Sequence, residues 1–202
     1  MQEIYSTSNL RDRILETLNQ SGLDASCYSQ ILDYTIDLFH QKGLGIDYYG
    51  YHNIIHELEV TYVTLLAAQW QSQQNLITKD DAKYLFVAAL FHDYDPQKRV
   101  DKPHEPDAVN FVKTDKILEL FLKESNIDPN IVSAMILRTT YPWVGENKEK
   151  SELLIDHFYS MSGITSDNLA KIEHYKKLGW FLSVSDRIGG YAMGDFSYAL
   201  EM

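Results

Sequence analysis

The chain has 202 residues, of which 18 are Lys or Arg and 29 are Asp or Glu, giving a net charge of −11 with 45% hydrophobic and 12% aromatic content. This suits a soluble globular chain with one well-filled core. The acidity excludes a nucleic-acid duplex or an anionic membrane as main partner, because either would be repelled, so phosphate chemistry here needs a local reversal of sign. The lone Cys27 excludes an internal disulfide framework and reads as a buried packing residue. The N-terminal stretch has no apolar core of the signal-peptide kind, and the longest apolar run, Tyr84 to Phe91, is too short to cross a bilayer. A cytoplasmic protein with no membrane partner is expected.

In chain order, Leu10, Ile14 and Leu18, then Ile31, Tyr34 and Leu38, recur at three or four residues and predict two amphipathic helices. A loop with Gly43, Gly45 and Gly50 leads into Tyr51 and His52. Thr78 and Asp81 have capping-box spacing ahead of Tyr84 to Phe91, which is apolar on all sides and predicts a helix in the middle of a bundle. Pro96, Pro103 and Pro106 mark the next loop. Val109, Val112, Leu120 and Phe121 resume helical spacing. Asp128-Pro129 reads as an N-cap with proline at the first helical position, ahead of Ile131, Met135 and Ile136. Strand-like alternation is nearly absent, no repeat or linker divides residues 1–202, and the expectation is a single-domain all-α bundle of roughly eight or nine helices. Phe196 to Met202 looks like the opening turns of a helix without a stop signal.

Several motifs fail on inspection. Gly43-Leu44-Gly45 begins like a dinucleotide fingerprint, but its third glycine position is Tyr48 and no strand precedes it. His56-Glu57 begins like a zinc-protease HExxH, but the closing position is Val60. What remains is the distribution of histidine and aspartate. His52 and His56 are four apart, a spacing that puts both on one face of a helix, and His92-Asp93 ends the most apolar helix. A buried helix that ends in two ionisable groups needs a partner for them. A divalent cation supplies one, since imidazole nitrogen and carboxylate oxygen are good ligands for it; chance spacing is the alternative.

The ordered segments Tyr51-His52-Asn53-Ile54-Ile55-His56, Leu90-Phe91-His92-Asp93 and Ser183-Val184-Ser185-Asp186-Arg187 resemble the HD-domain superfamily of metal-dependent phosphohydrolases. The first resembles the YHNxxH motif of its cyclic-nucleotide phosphodiesterases. The resemblance implies a helical bundle in which His56, His92, Asp93 and Asp186 hold a divalent ion such as Mn, Mg, Zn, Fe, Co or Ni. It makes His52 the donor of a proton to the leaving oxygen and Asp93 part of the catalytic machinery. The implied partner is a small phosphorylated substrate, nucleotide-like or otherwise.

Departures matter as well. Where the phosphodiesterases have HDxxH this chain has Pro96, which argues against a cyclic nucleotide. Candidates for an extra histidine are His104, followed by Glu105, and then His157 and His174; these two and His40 read as surface or core residues. Asp95 is either an aid to a ligand imidazole or a loop cap, and Asn53 either orients a neighbour or starts a helix. Lys98, Arg99, Lys102 and Arg187 are candidate phosphate contacts. Tyr141, Pro142 and Trp143 are candidates for base stacking or packing. Gly189 and Gly190 suit a helix end or a close approach. Two other readings stand beside hydrolysis: an iron-dependent oxygenase on a related bundle, and a regulatory ligand-binding domain with little turnover.

Overall fold

The computed structural model describes residues 6–23, 26–47, 52–98, 103–165 and 167–188. Gly50, Tyr51, Arg99, Lys102, Gly189, Gly190 and the stretch Phe196 to Met202 lie outside the described residues. Among the described residues there are nine helices and no strand: α1 (Thr7–Gln20), α2 (Ser26–Gln41), α3 (Ile54–Ser72), α4 (Lys79–Phe91), α5 (Glu105–Thr114), α6 (Lys116–Glu124), α7 (Pro129–Leu137), α8 (Gly145–Met161) and α9 (Leu169–Ile188). The fold is all-α, as the apolar spacing predicts.

Helix α4 is the axis of the bundle. Every side chain from Leu85 to Phe91 is fully buried, because α2, α3, α7 and α9 all pack against it. Burial of each large apolar side chain contributes about 1.5–3 kcal/mol, so an uninterrupted apolar run has no place but the interior. The helix begins where the sequence places it. Thr78 Oγ1 accepts from the Asp81 amide at 3.1 Å while Asp81 Oδ2 accepts from the Thr78 amide at 2.8 Å, so two otherwise orphaned donors are satisfied reciprocally. Asp81 also uses its other oxygen, Oδ1, 2.8 Å from His174 Nε2, which ties the start of α4 to α9.

Helix α7 is the second buried element, packing against α4, α5, α8 and α9. Asp128 caps it by accepting from the Asn130 amide at 2.8 Å, with Pro129 in the first turn. Cys27 is buried, as a packing residue should be. No helix among the described residues is long and apolar enough to cross a membrane.

Candidate metal centre

The first histidine pair is set by a cap. Asn53 Oδ1 accepts from the amides of Ile55 at 2.9 Å and His56 at 3.2 Å, so the chain becomes helical at Ile54 and Asn53 is the helix starter. His52 therefore precedes α3, and the expectation that His52 and His56 share one helix face is corrected. Both rings nevertheless reach one carboxylate: Asp93 Oδ2 is 3.1 Å from His56 Nε2 and 3.6 Å from His52 Nε2.

At the other end of the site, His92 is the C-cap of α4 and wholly buried. Its Nδ1 lies 2.9 Å from the Ala89 carbonyl, an acceptor, so Nδ1 carries a hydrogen and, in the neutral ring, Nε2 keeps its lone pair. Glu57 Oε2 stands 3.0 Å from the same Nδ1, also fully buried, at ion-pair distance but without a hydrogen bond of its own. His92 Nε2 faces Asp93 Oδ2 at 3.4 Å and Asp186 Oδ1 at 3.5 Å, and makes no hydrogen bond although it is buried. Asp186, on the last turns of α9, also lies 3.3 Å from His56 Nε2. Three helix ends thus converge on four donors, from His56, His92, Asp93 and Asp186, all within 4.8 Å of one another.

These four could hold a divalent cation. Two imidazole nitrogens and two carboxylate oxygens form a donor set for zinc, manganese, iron and related ions. The buried lone pair of His92 without a partner is the kind of orphan that a cation satisfies. The carbonyl and carboxylate behind Nδ1 are the outer partners that fix a ligand imidazole in orientation and tautomer.

Without a cation, protons balance the charge. Burial opposes the charged form of His56, but its bonds to Asp186 and Asp93 outweigh it and raise its pKa to about 9. His92 is raised well above its ordinary value, burial being overcome by Asp93 and Glu57. Burial would raise Asp93, but the surrounding histidines, His92 first, hold it well below the usual carboxylate range. Asp186 falls to about 2 for the same reason, the nearby His56 and His92 imidazoles outweighing burial. Glu57 is pushed up by burial, partly offset by His92.

A second group shares Asp93. His104 Nε2 is 2.7 Å from Asp93 Oδ1, and the His104 and His52 rings lie 4.2 Å apart. His52, Asp93 and His104 also bring three donor atoms within 4.8 Å. Asp93 therefore stands between two donor sets, Oδ2 toward His52, His56 and His92, and Oδ1 toward His104. The imidazoles differ in access: the His52 side chain is 31% exposed, against 5%, 0% and 11% for His56, His92 and His104. Only His52 of the four stands at the mouth.

The remaining candidates supply no atom to these two donor sets. Glu105 opens α5 and is buried beside this group, with Oε2 lacking a hydrogen bond. Asp95 is buried, and its Oδ1 accepts from the Gln97 amide at 3.1 Å, the loop-cap role. Lys98 and Arg187 are exposed. His40 and His157 are exposed, and His174 serves the α4 cap. Trp143 stacks on Arg138, whose guanidinium carbon is 4.1 Å from the indole ring, so the packing reading holds for it. Glu57 appears in the sequence only as a failed HExxH; its signal was a carboxylate beside His56 and between the apolar Ile55 and Leu58.

No protein-family model, characterised protein or solved structure matches this chain. The chemistry must be read from the residues themselves.

Proposed function

We propose that the protein is a metal-dependent phosphohydrolase of the HD-domain type, acting on a phosphoester of a small, nucleotide-like or otherwise phosphorylated substrate. The observation that carries this reading is the cluster of His56, His92, Asp93 and Asp186, in which the buried His92 Nε2 makes no hydrogen bond among the described residues. The order of these residues along the chain, with His52 ahead of them, supports it further.

In this reading His56, His92, Asp93 and Asp186 hold the ion. When bound, a divalent ion supplies activation of water and polarisation of a phosphoryl oxygen, and reverses the local negative charge that would repel a phosphoester. The chain's own residues do the rest. Asp93 and Asp186 set the charge of the ligand set, while the Ala89 carbonyl and Glu57 hold the His92 ring in place. His52, the most accessible of the four imidazoles, donates a proton to the departing alcohol oxygen, because it stands near Asp93 and reaches solvent. His104, hydrogen-bonded to the opposite oxygen of Asp93, fixes that carboxylate's rotation.

The test is metal analysis of purified protein, followed by a panel of phosphomonoesters and phosphodiesters, nucleotides included, with and without chelator. The expected outcome is about one tightly held divalent ion per chain and turnover that chelator abolishes. His92→Ala should lose metal and activity together. His52→Ala should keep its metal and lose about 100-fold or more in kcat. Unchanged metal content in His92→Ala would overturn the site, and metal binding without turnover of any phosphoester would overturn the reaction.

A further inference from the structure

A cavity of about 260 Å³ lies between α7, α8 and α9, lined by none of the residues of the histidine cluster. Its volume is just below that of drug-sized pockets and suits a small ligand. Arg138, Trp143, Lys148, Glu152, Asp156 and Lys176 supply its polar and aromatic lining, and Ala134, Ile155 and Tyr159 its apolar wall. Arg138 is held in place from two sides. Its guanidinium lies over the Trp143 ring. Its stem lies against Gly179 of α9, where an added Cβ would meet Arg138 Cβ at 3.0 Å and Cγ at 3.2 Å. Glycine here leaves room for the arginine.

The charges lining the cavity are not balanced. Lys176 pairs with Asp156 at 3.5 Å and Lys148 with Glu152 at 3.8 Å. Arg138 has no such partner: among the described residues its side chain makes no hydrogen bond or ion pair, and Nη1 is buried without an acceptor. A guanidinium stays charged at any physiological pH, and with Nη1 buried its Nε and Nη2 edge, which makes no hydrogen bond among the described residues, is the one open to a ligand. Three cations against two carboxylates leave the cavity with one positive charge. A planar fork, one net charge and an apolar wall match a singly charged, planar oxyanion with an apolar body. A carboxylate fits a guanidinium in this way by paired N–H···O bonds.

We propose that this cavity is a binding site for a small apolar monocarboxylate, its carboxylate seated on Arg138 and its body against Ile155 and Tyr159. The site is independent of the metal centre, and its test does not depend on turnover. Benzoate is the probe, with benzyl alcohol as the neutral analogue and inorganic phosphate as the alternative oxyanion, each titrated calorimetrically into the full chain in the presence of chelator. Benzoate should bind saturably at millimolar concentration or below, and benzyl alcohol about tenfold or more weaker. Arg138→Gln should lose about tenfold or more in benzoate affinity, while His92→Ala leaves it unchanged. If Arg138→Gln fails to fold by circular dichroism, the unmodified protein decides: benzoate should shift the indole N–H resonance of Trp143 and leave that of Trp70 in place. No saturable benzoate binding, equal affinity in a folded Arg138→Gln, or tighter binding of phosphate than benzoate would each overturn the proposal.

Discussion

At the scale of single residues, the site depends on where hydrogens sit. The Ala89 carbonyl 2.9 Å from His92 Nδ1 sets the tautomer, and Glu57 Oε2 at 3.0 Å adds negative charge behind the same ring. Outer partners of this kind are worth roughly 10- to 100-fold in metal affinity. Glu57→Gln, which keeps the shape and removes the charge, is expected to weaken metal binding by about that factor in a competition titration; unchanged affinity would mean that the Ala89 carbonyl suffices. Glu59, two residues along the same helix, offers a contrast. Burial raises its pKa from 4.5 to about 7, with a smaller opposing pull from His56. The folded state therefore holds a proton that the unfolded chain has released between pH 4.5 and about 7, and stability falls as pH rises through that window. Because Glu59 keeps some solvent access, the loss is on the order of 1–2 kcal/mol. Glu59→Gln should melt a few degrees above the parent at pH 8 and converge with it below about pH 4.5, which thermal melts across pH will show.

At the scale of elements, helix caps made much of the fold readable. Thr78 with Asp81 and Asp128 with Pro129 mark helix starts by local chemistry alone, and an all-apolar run from Tyr84 to Phe91 has only the bundle centre to occupy. The boundary before α3 was misread because the four-residue spacing of His52 and His56 outweighed the capping power of Asn53. His92 and Asp93 were readable as the end of the buried helix, whereas Asp186 joined them only through the resemblance to the HD-domain pattern. The meeting of His104 with Asp93 was not readable, since it depends on the path of the loop before α5, which periodicity does not describe. The Arg138 cavity was hidden for a related reason: α7, α8 and α9 contribute to it from residues that share no local pattern. Asp81 shows how a local signal acquires a long-range role, because one oxygen completes the α4 cap and the other meets His174 on α9. Thr78→Ala should cost about 1 kcal/mol, the usual value of a cap. Asp81→Ala should cost about 2–3 kcal/mol, since it also leaves His174 without its acceptor. At about 2–4 °C per kcal/mol for a chain of this size, the two melting temperatures should differ by several degrees. Equal losses would show that the link to α9 contributes nothing.

At the scale of the whole molecule, the net charge of −11 and the candidate metal centre are linked. Asp93 and Asp186 approach each other only because His56 and His92 stand between them, and without a cation those imidazoles must take up protons against the cost of burial. A divalent ion removes that cost and brings two positive charges into an acidic field that favours its capture. Whatever binds the folded state and not the unfolded chain stabilises by RT ln(1 + [L]/Kd), about 2.7 kcal/mol at a hundredfold excess over Kd. Adding a fitting ion to chelator-treated protein should therefore raise Tm by roughly 5–10 °C, with the increase growing as the logarithm of metal concentration. The gain should be larger at low than at high ionic strength, because the surrounding carboxylates attract the ion through a field that salt screens. It should vanish in His92→Ala, while Lys176→Gln, far from the cluster's donors, keeps it. A melting temperature that ignores zinc, manganese and iron alike, in protein whose histidines are intact, would mean that the cluster is held by protons alone, and the proposed chemistry would fall with it.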